Sequence, residues 1–264
     1  MNLSIIILTY KSKNLVRFAL KDLLDSNLPE QTEVIVVDND SKDGVEKVIK
    51  KEFPQVRFIQ SGANLGFAGG NNVGIRAAQG KYVLIMNPDI FVKDNSIQNL
   101  YNYIKQRESE NIGLVAPRLN NPDGSLQNTA YRFHKLTTPI YRRTILGKTK
   151  KGKRHLKQFL MDDWDHNSTR EVDWVQGSFF ISPKELLERV NYFDERYFMY
   201  MEDMDLCRKI KQAGKKVIYY PEVQAIHLHR KESAEGSWHQ VFTNKLTRIH
   251  IQSWFKYMWK YRKS

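Results

Sequence analysis

The sequence predicts a mixed α/β fold, a mainly parallel sheet with helices packed against it. In the first half, apolar runs of strand length alternate with segments of helical period, and residues with turn chemistry close the runs. No apolar stretch reaches the ~18–20 residues of a membrane span. The chain of 264 residues is 41% hydrophobic and 27% charged, ordinary globular proportions that argue against disordered or collagen-like classes. One cysteine, Cys207, excludes an internal disulfide framework and a cysteine-only metal site, and fits a reducing compartment.

Each element has its own signal. Leu3–Thr9 is an isoleucine-rich run expected to be a buried strand; it lacks the basic leader and small-residue cleavage site of a signal peptide. Leu15–Leu24 carries Leu15, Phe18, Ala19 and Leu23 at helical spacing. Glu33–Val37 is a second strand, Val45–Phe53 a helix, Val56–Ile59 a third strand. Gly66–Ala78 opens on glycines and turns helical, Tyr82–Met86 is a fourth strand, Ile97–Ile104 a helix and Gly113–Ala116 a short strand. Alternation of this kind requires right-handed crossovers, and ligands then bind beyond the carboxyl ends of the strands. Past the turn at 120–124 the pattern loosens: 132–170 reads as a basic loop with helical pieces, Val172–Ser182 as a strand and Pro183–Val190 as a short helix. A helix over Glu202–Ala213, strands over Lys216–Tyr220 and Val223–His229, and one long helix over Gly236–Arg262 complete the chain.

The net charge of +13 points to an anionic partner, and its distribution says more. From Gly124 to Met161 there are ten Lys/Arg and no acid; from Arg230 to Ser264 there are eight against Glu232 and Glu235. The remainder is close to neutral.

Five groupings carry candidate chemistry. Asp38-Asn39-Asp40, at the end of the second strand, suits hydrogen bonds to a nucleotide, or an Asx turn or helix cap. The glycine-rich run from Gly62 to Gly74 suits phosphate or sugar approach, or a tight turn with close helix packing. Asn87-Pro88-Asp89 offers an oxygen ligand for Mg²⁺ or Mn²⁺, or an ordinary strand-ending turn. Glu202, Asp203 and Asp205 offer a general base, or acids at a helix N-terminus. His227 and His229 fall on opposite faces of a strand, so one is a candidate ligand or phosphate contact, or a core histidine.

In order, the segments SIIILTY, EVIVVDNDSKDG, NLGFAGGNNVGIRAAQGKYVLIMNPDI, WVQGSFFISP, FDERYFMYMEDMDLCRKIKQAG and HLH resemble the glycosyltransferase family 2 enzymes of the GT-A fold, in particular the rhamnosyltransferase-like branch, over about residues 2–230. The resemblance implies a GT-A catalytic domain at 1–230: a nucleotide-sugar-binding half at 1–120 and an acceptor-side half at 121–230, followed by a basic amphipathic helix at 231–264. It implies inverting transfer of a sugar from a nucleotide diphosphate donor, dTDP-L-rhamnose first and a UDP-hexose second, to a glycan or lipid-linked glycan of the cell surface. Thr9, Tyr10 and Asp38 then belong to the nucleotide pocket, and Asn64, Gly66, Asn71 and Asn72 to the loop lining the donor. Asn87 and Asp89 stand where the family has its Asp-x-Asp motif, with an amide in place of the first carboxylate. Asp89 and His227 become ligands for Mn²⁺ or Mg²⁺. Asp203 becomes the catalytic base, with Trp174, Gln176, Gly177 and Glu202 on the acceptor side.

In the C-terminal helix, Ile251, Trp254, Phe255 and Met258 recur at helical spacing, with Lys256, Lys260 and Lys263 as a second stripe. One reading places this helix on an anionic membrane, making a cytoplasmic enzyme peripheral on the inner face. The other packs it on its own domain or on a second subunit as a homodimer. A non-catalytic basic binding protein is the competing function; without a nucleic-acid motif, nucleic acid is not an expected partner.

Overall fold

The computed structural model describes residues 1–93, 95–135, 137–228 and 245–262. The strands are β1 (Leu3–Thr9), β2 (Thr32–Asp38), β3 (Arg57–Gln60), β4 (Tyr82–Met86), β5 (Ile90–Val92), β6 (Ile112–Asn120), β7 (Leu126–Gln127), β8 (Ala130–Tyr131), β9 (Arg170–Glu171), β10 (Trp174–Val175), β11 (Phe179–Pro183) and β12 (Lys216–His227). The helices are α1 (Lys13–Asp25), α2 (Val45–Glu52), α3 (Gly66–Ala77), α4 (Ser96–Gln106), α5 (Thr138–Arg143), α6 (Lys150–Leu160), α7 (Lys184–Arg189), α8 (Glu202–Gln212) and α9 (Lys245–Lys260).

The main sheet runs β3-β2-β1-β4-β11-β6-β12-β5, with β7 on β6 and β9 on β12. Pairs β1–β2, β1–β4, β2–β3 and β6–β12 are parallel. β11 runs antiparallel to both β4 and β6, so a strand from the second half lies inside the sheet begun by the first.

The two-residue period of β1 divides the core. Leu3, Ile5 and Ile7 join the cluster with α1, α2 and α4; Ile6 joins the other with α3, α7 and α8. In α1, Val16, Ala19, Leu20 and Leu23 are buried at i, i+3, i+4 and i+7, the single stripe that a helix against a sheet must bury. Cys207 is buried in the second cluster, and burial pushes its thiol up to about 12, the state of a packing residue.

Two expectations are corrected. The expected strand over Val172–Ser182 is interrupted: β10 pairs with β8 in a small second sheet, β11 joins the main one, and Gln176–Ser178 turns between them. The expected pair at Lys216–Tyr220 and Val223–His229 is one strand, β12. It shifts register against β6 between Tyr220 and Gln224, where Pro221 has no N–H to pair. β5, three residues long, carried too little pattern to be expected. Helices α5 and α6 supply the helical pieces within 132–170. The start of the expected Gly236–Arg262 helix, together with His229 and Lys263, lies outside the described residues.

Helix α9 packs on its own domain. Tyr257 and Tyr261 cluster with Tyr197, Met201 and Met204, and Trp254 and Met258 lie against them. Lys260 Nζ donates to Asp205 Oδ1 (2.6 Å) and Asp194 Oδ2 (2.9 Å), and Lys256 Nζ to the Arg196 carbonyl. Of the readings open for this stripe, packing on its own domain is the one that Trp254 and Met258 follow, while Phe255 is exposed.

Candidate active site

The carboxyl ends of β1, β2 and β4 deliver the first group. Thr9 is fully buried, and its hydroxyl has no hydrogen-bond partner among the described residues. Asp38 is buried, and both carboxylate oxygens accept from the Ser41 N–H (3.2 and 3.3 Å), so it holds its own turn. Tyr10 is exposed beside Lys11.

Asn39, which the sequence reading passed over as a separate residue, joins two loops. Its Nδ2 donates to Asn64 Oδ1 (3.1 Å) and the Gly66 carbonyl (3.0 Å), and its Oδ1 accepts from the Leu65 N–H (2.9 Å). No spacing in the sequence signals a contact between residues so far apart.

Helix α3 starts where side chains are excluded. Gly66 has φ +73°, and a Cβ there would lie 2.0 Å from the Phe198 carbonyl oxygen, which accepts from the Phe67 N–H at 2.8 Å. Asn71 is buried and donates to the Phe67 carbonyl; its own Oδ1 has no partner among the described residues. Asn72 is committed elsewhere: its amide donates to the Phe193 carbonyl and Glu195 Oε1, and its oxygen accepts from the Phe193 N–H. It anchors α3 to the 193–195 segment.

Beyond β4, the Asn87 N–H donates to the Ser178 carbonyl (2.8 Å), tying this strand end to the turn between β10 and β11. Asp89 Oδ1 lies 3.4 Å from His227 Nε2, so residues 138 positions apart are brought together. The Leu228 N–H donates to the Asp89 carbonyl, fixing the end of β12 against the turn. His227 is buried, with Nδ1 2.6 Å from Gln127 Oε1 on β7. A carbonyl oxygen only accepts, so Nδ1 carries a proton toward Gln127 and the ring is held with Nε2 toward Asp89. Gln127 had no signal in the sequence. Among the described residues no three His, Cys, Asp or Glu side chains form a metal-holding cluster; Asp89 and His227 stand as a pair.

The second group sits on α8. The Gly177 N–H donates to Asp203 Oδ2 (3.2 Å) and the Met204 N–H to Oδ1 (2.8 Å). A Cβ on Gly177 would stand 3.1 Å from Asp203 Cβ and 3.5 Å from the Phe67 ring, so the glycine lets α8, α3 and the turn before β11 meet. Burial pushes the Asp203 carboxyl up to about 6, against the two N–H groups, which pull it down. Glu202 is also buried; burial, then the charge of Asp203, holds it well above the usual carboxylate range, and its Oε2 has no partner among the described residues. Burial and the charge of the neighbouring group both disfavour ionising Glu202 and Asp203 together. Trp174 stacks on Tyr131 (4.6 Å between centroids) and donates from Nε1 to the Arg132 carbonyl. Gln176 is half-buried and its N–H donates to the Thr129 carbonyl.

A cavity of about 530 Å³ lies apart from these residues, lined by Arg76, Asp194, Arg196, Lys209 and Lys260 among others. Its charges are engaged in pairs such as Arg76–Glu195 and Lys260–Asp194.

A buried carboxylate of raised pKa, joined through Gly177 and Ser178 to the strand end that carries the Asp89–His227 pair, suits a group-transfer enzyme of the nucleotide-binding α/β type. The chain belongs to glycosyl transferase family 2, whose profile matches residues 4–177. It is a glycosyltransferase with the GT-A fold. It is 30% identical to rhamnosyltransferase WbbL of Escherichia coli K12 over 250 residues, covering 90% of this chain and 87% of that one. It is 27% identical to the N-acetylglucosaminyl-diphospho-decaprenol L-rhamnosyltransferase of Mycobacterium tuberculosis over 280 residues, covering 98% and 86%. The fold matches the mannosyltransferase PcManGT of Pyrobaculum calidifontis, solved with GDP-Man and Mn²⁺, at a TM-score of 0.60 and 18% identity, over 88% of this chain and 58% of that one. It also matches GalNAc-T7, solved with UDP, GalNAc and Mn²⁺, at 0.64 and 16%, over 90% and 45%. The chain thus spans about half the length of these solved structures.

Proposed function

We propose that this enzyme transfers L-rhamnose from dTDP-L-rhamnose, with inversion, to a hydroxyl of a lipid-linked cell-surface glycan. The observation that carries the chemistry is Asp203, a buried carboxylate with a pKa of about 6. The donor and acceptor class come from likeness to the two rhamnosyltransferases above. A UDP-hexose is the second donor.

Asp203 accepts the proton of the acceptor hydroxyl as that oxygen bonds the anomeric carbon and the bond to the diphosphate breaks. Attack opposite the leaving group inverts the configuration and requires no sugar–enzyme bond. Burial and the charge of Asp203 both disfavour ionisation of Glu202, which favours keeping the negative charge of the pair on Asp203. Thr9, Asp38 and the loop from Asn64 to Asn71 line the nucleotide side, and Asn39 holds that loop against the end of β2. Trp174, Gln176 and Gly177 wall the acceptor side.

A divalent cation fits the Asp89–His227 pair. One carboxylate and one imidazole whose ring is oriented by Gln127 suit Mn²⁺ or Mg²⁺, with the remaining oxygens from diphosphate and water. When bound, such an ion neutralises charge on the departing diphosphate. The test is a panel of sugar nucleotides scored by nucleoside diphosphate release with Mn²⁺ or Mg²⁺ and a lipid-linked acceptor. Turnover of dTDP-L-rhamnose above the UDP-hexoses supports the reading; preference for a UDP-sugar replaces the donor, and no turnover with any donor overturns the function.

A further inference from the structure

The acid-free stretch noted in the sequence forms a definite surface. Residues 137–160 fold as α5, a short turn of helix at Ile145–Lys148, and α6. The connection exposes Ile145 (78%) and Leu146 (49%), and α5 exposes Ile140 (47%). Around them Lys148, Lys150, Lys151, Lys153, Arg154 and Lys157 are all exposed, and none has an acidic partner among the described residues. Thr149 caps α6 through the Gly152 N–H, so the lysines are carried on an ordered helix.

The insert is joined to the acceptor wall. The Arg132 N–H donates to the Phe159 carbonyl, Asn128 Nδ2 to the Leu160 carbonyl, and Tyr131 stacks between Phe159 and Trp174. Whatever the insert binds is thereby held next to the place where the acceptor enters.

We propose that this insert docks the enzyme on an anionic lipid bilayer, with Ile145 and Leu146 in the headgroup layer and the surrounding lysines and arginine on lipid phosphates. This rests on the lipid-linked-acceptor reading. Charge complementarity selects the occupant: six unpaired cations attract an anionic surface, and exposed aliphatic side chains among them gain from lipid and not from a nucleic-acid backbone. The outward face of α9 also carries Phe255, Trp259, Arg248 and Arg262. Its cations are partly engaged, however: Lys256 bonds the Arg196 carbonyl, and Arg262 lies over Trp259 while donating to its carbonyl. The described residues contain no helix long and apolar enough to cross a membrane, so association through this surface is peripheral.

The test is co-sedimentation of the full chain with vesicles of phosphatidylcholine, alone or with one third phosphatidylglycerol. The expected result is binding only with phosphatidylglycerol, weakened by salt. Substituting Lys148, Lys150, Lys151 and Arg154 by Gln should lower the partition coefficient about a thousandfold, and Ile145→Ser with Leu146→Ser at least about tenfold. Phe255→Ser with Trp259→Ser should leave it within about twofold of wild type. No binding by the wild-type chain, unchanged binding by the Gln variant, or loss confined to the α9 variant overturns the proposal. So does binding of single-stranded RNA in place of vesicles. Release of nucleoside diphosphate from the donor without vesicles, expected to be equal in all these variants, reports on the transferase reading separately.

Discussion

At the residue scale, Asp203 couples chemistry to a cost in stability. Its carboxyl has a folded pKa near 6 against an ordinary value of 3.8. The folded state therefore binds this proton more tightly than the unfolded chain, and stability is lost as pH rises from about 4 through 6. Asp203→Asn keeps the shape and accepts no proton. It should lower kcat by ~10²–10⁴ while raising stability at pH 7 by on the order of 2–3 kcal/mol, with little change at pH 4. Thermal melts at the two pH values and single-turnover transfer check both halves. The kcat/KM of the wild type should rise with pH through a limb near 6, because only the ionised form accepts the proton. Gln127 acts at one remove, by fixing the His227 imidazole. Gln127→Leu should weaken Mn²⁺ binding ~10–100-fold by calorimetry with only a small change in melting temperature. A variant that binds Mn²⁺ like the wild type would show the imidazole is oriented without it. These contacts explain what was legible in the sequence and what was not. Asp203, Asp89 and His227 stood out because their chemistry and local motifs name them. Asn39, Gln127 and Ser178 did not, because each works through a partner 25 to 100 positions away or through a backbone carbonyl.

At the element scale, α3 depends on its first residue. Gly66→Ala would both hold an L side chain at positive φ, about 1–2 kcal/mol, and drive its Cβ into the Phe198 carbonyl. A loss of at least about 2 kcal/mol is expected, with donor binding weakened as the 64–71 loop shifts. Gly62→Ala is the control: φ is +78° there, but nothing lies within 4 Å of the added Cβ, so only the conformational part should appear in chemical denaturation. Equal losses at the two sites would remove the close-approach argument. The alternating elements of the first half were readable because each strand is a continuous apolar run and each helix has one buried stripe. The interruption between β10 and β11 was not. Val172–Ser182 is rich in apolar and aromatic residues on both sides of Gln176-Gly177-Ser178, and this turn is held by distant partners, the Asp203 carboxylate on the Gly177 N–H and the Asn87 N–H on the Ser178 carbonyl.

At the scale of the whole molecule, α9 is tied to the helix that carries the base. Asp205 is fully buried on α8 and accepts from Lys260 and Tyr261 of α9 as well as from Tyr197. Removing one partner of such a buried charge is costly. Lys260→Met should destabilise by about 3 kcal/mol, at the low end of the usual range because the tyrosines and Lys209 remain. Asp205→Asn combined with Lys260→Met should recover part of that loss in a double-mutant cycle; additive losses would mean the pair is not coupled.

The central position of β11 also sets the order in which the chain acquires structure. While the ribosome has made only the first 120 residues, β4 has β1 on one side and nothing on the other, and β6 has no neighbour to bridge the gap. The sheet closes only after Phe179–Pro183 has been synthesised and has threaded back antiparallel between them. Contacts of such long sequence separation form late, and an open apolar strand edge is a template for association in the meantime. A fragment ending near residue 120 should accordingly collect in the insoluble fraction, and one extended past residue 227 should not. Residues 1–120 are thus not a folding unit: birth of this enzyme waits on the second half of its chain.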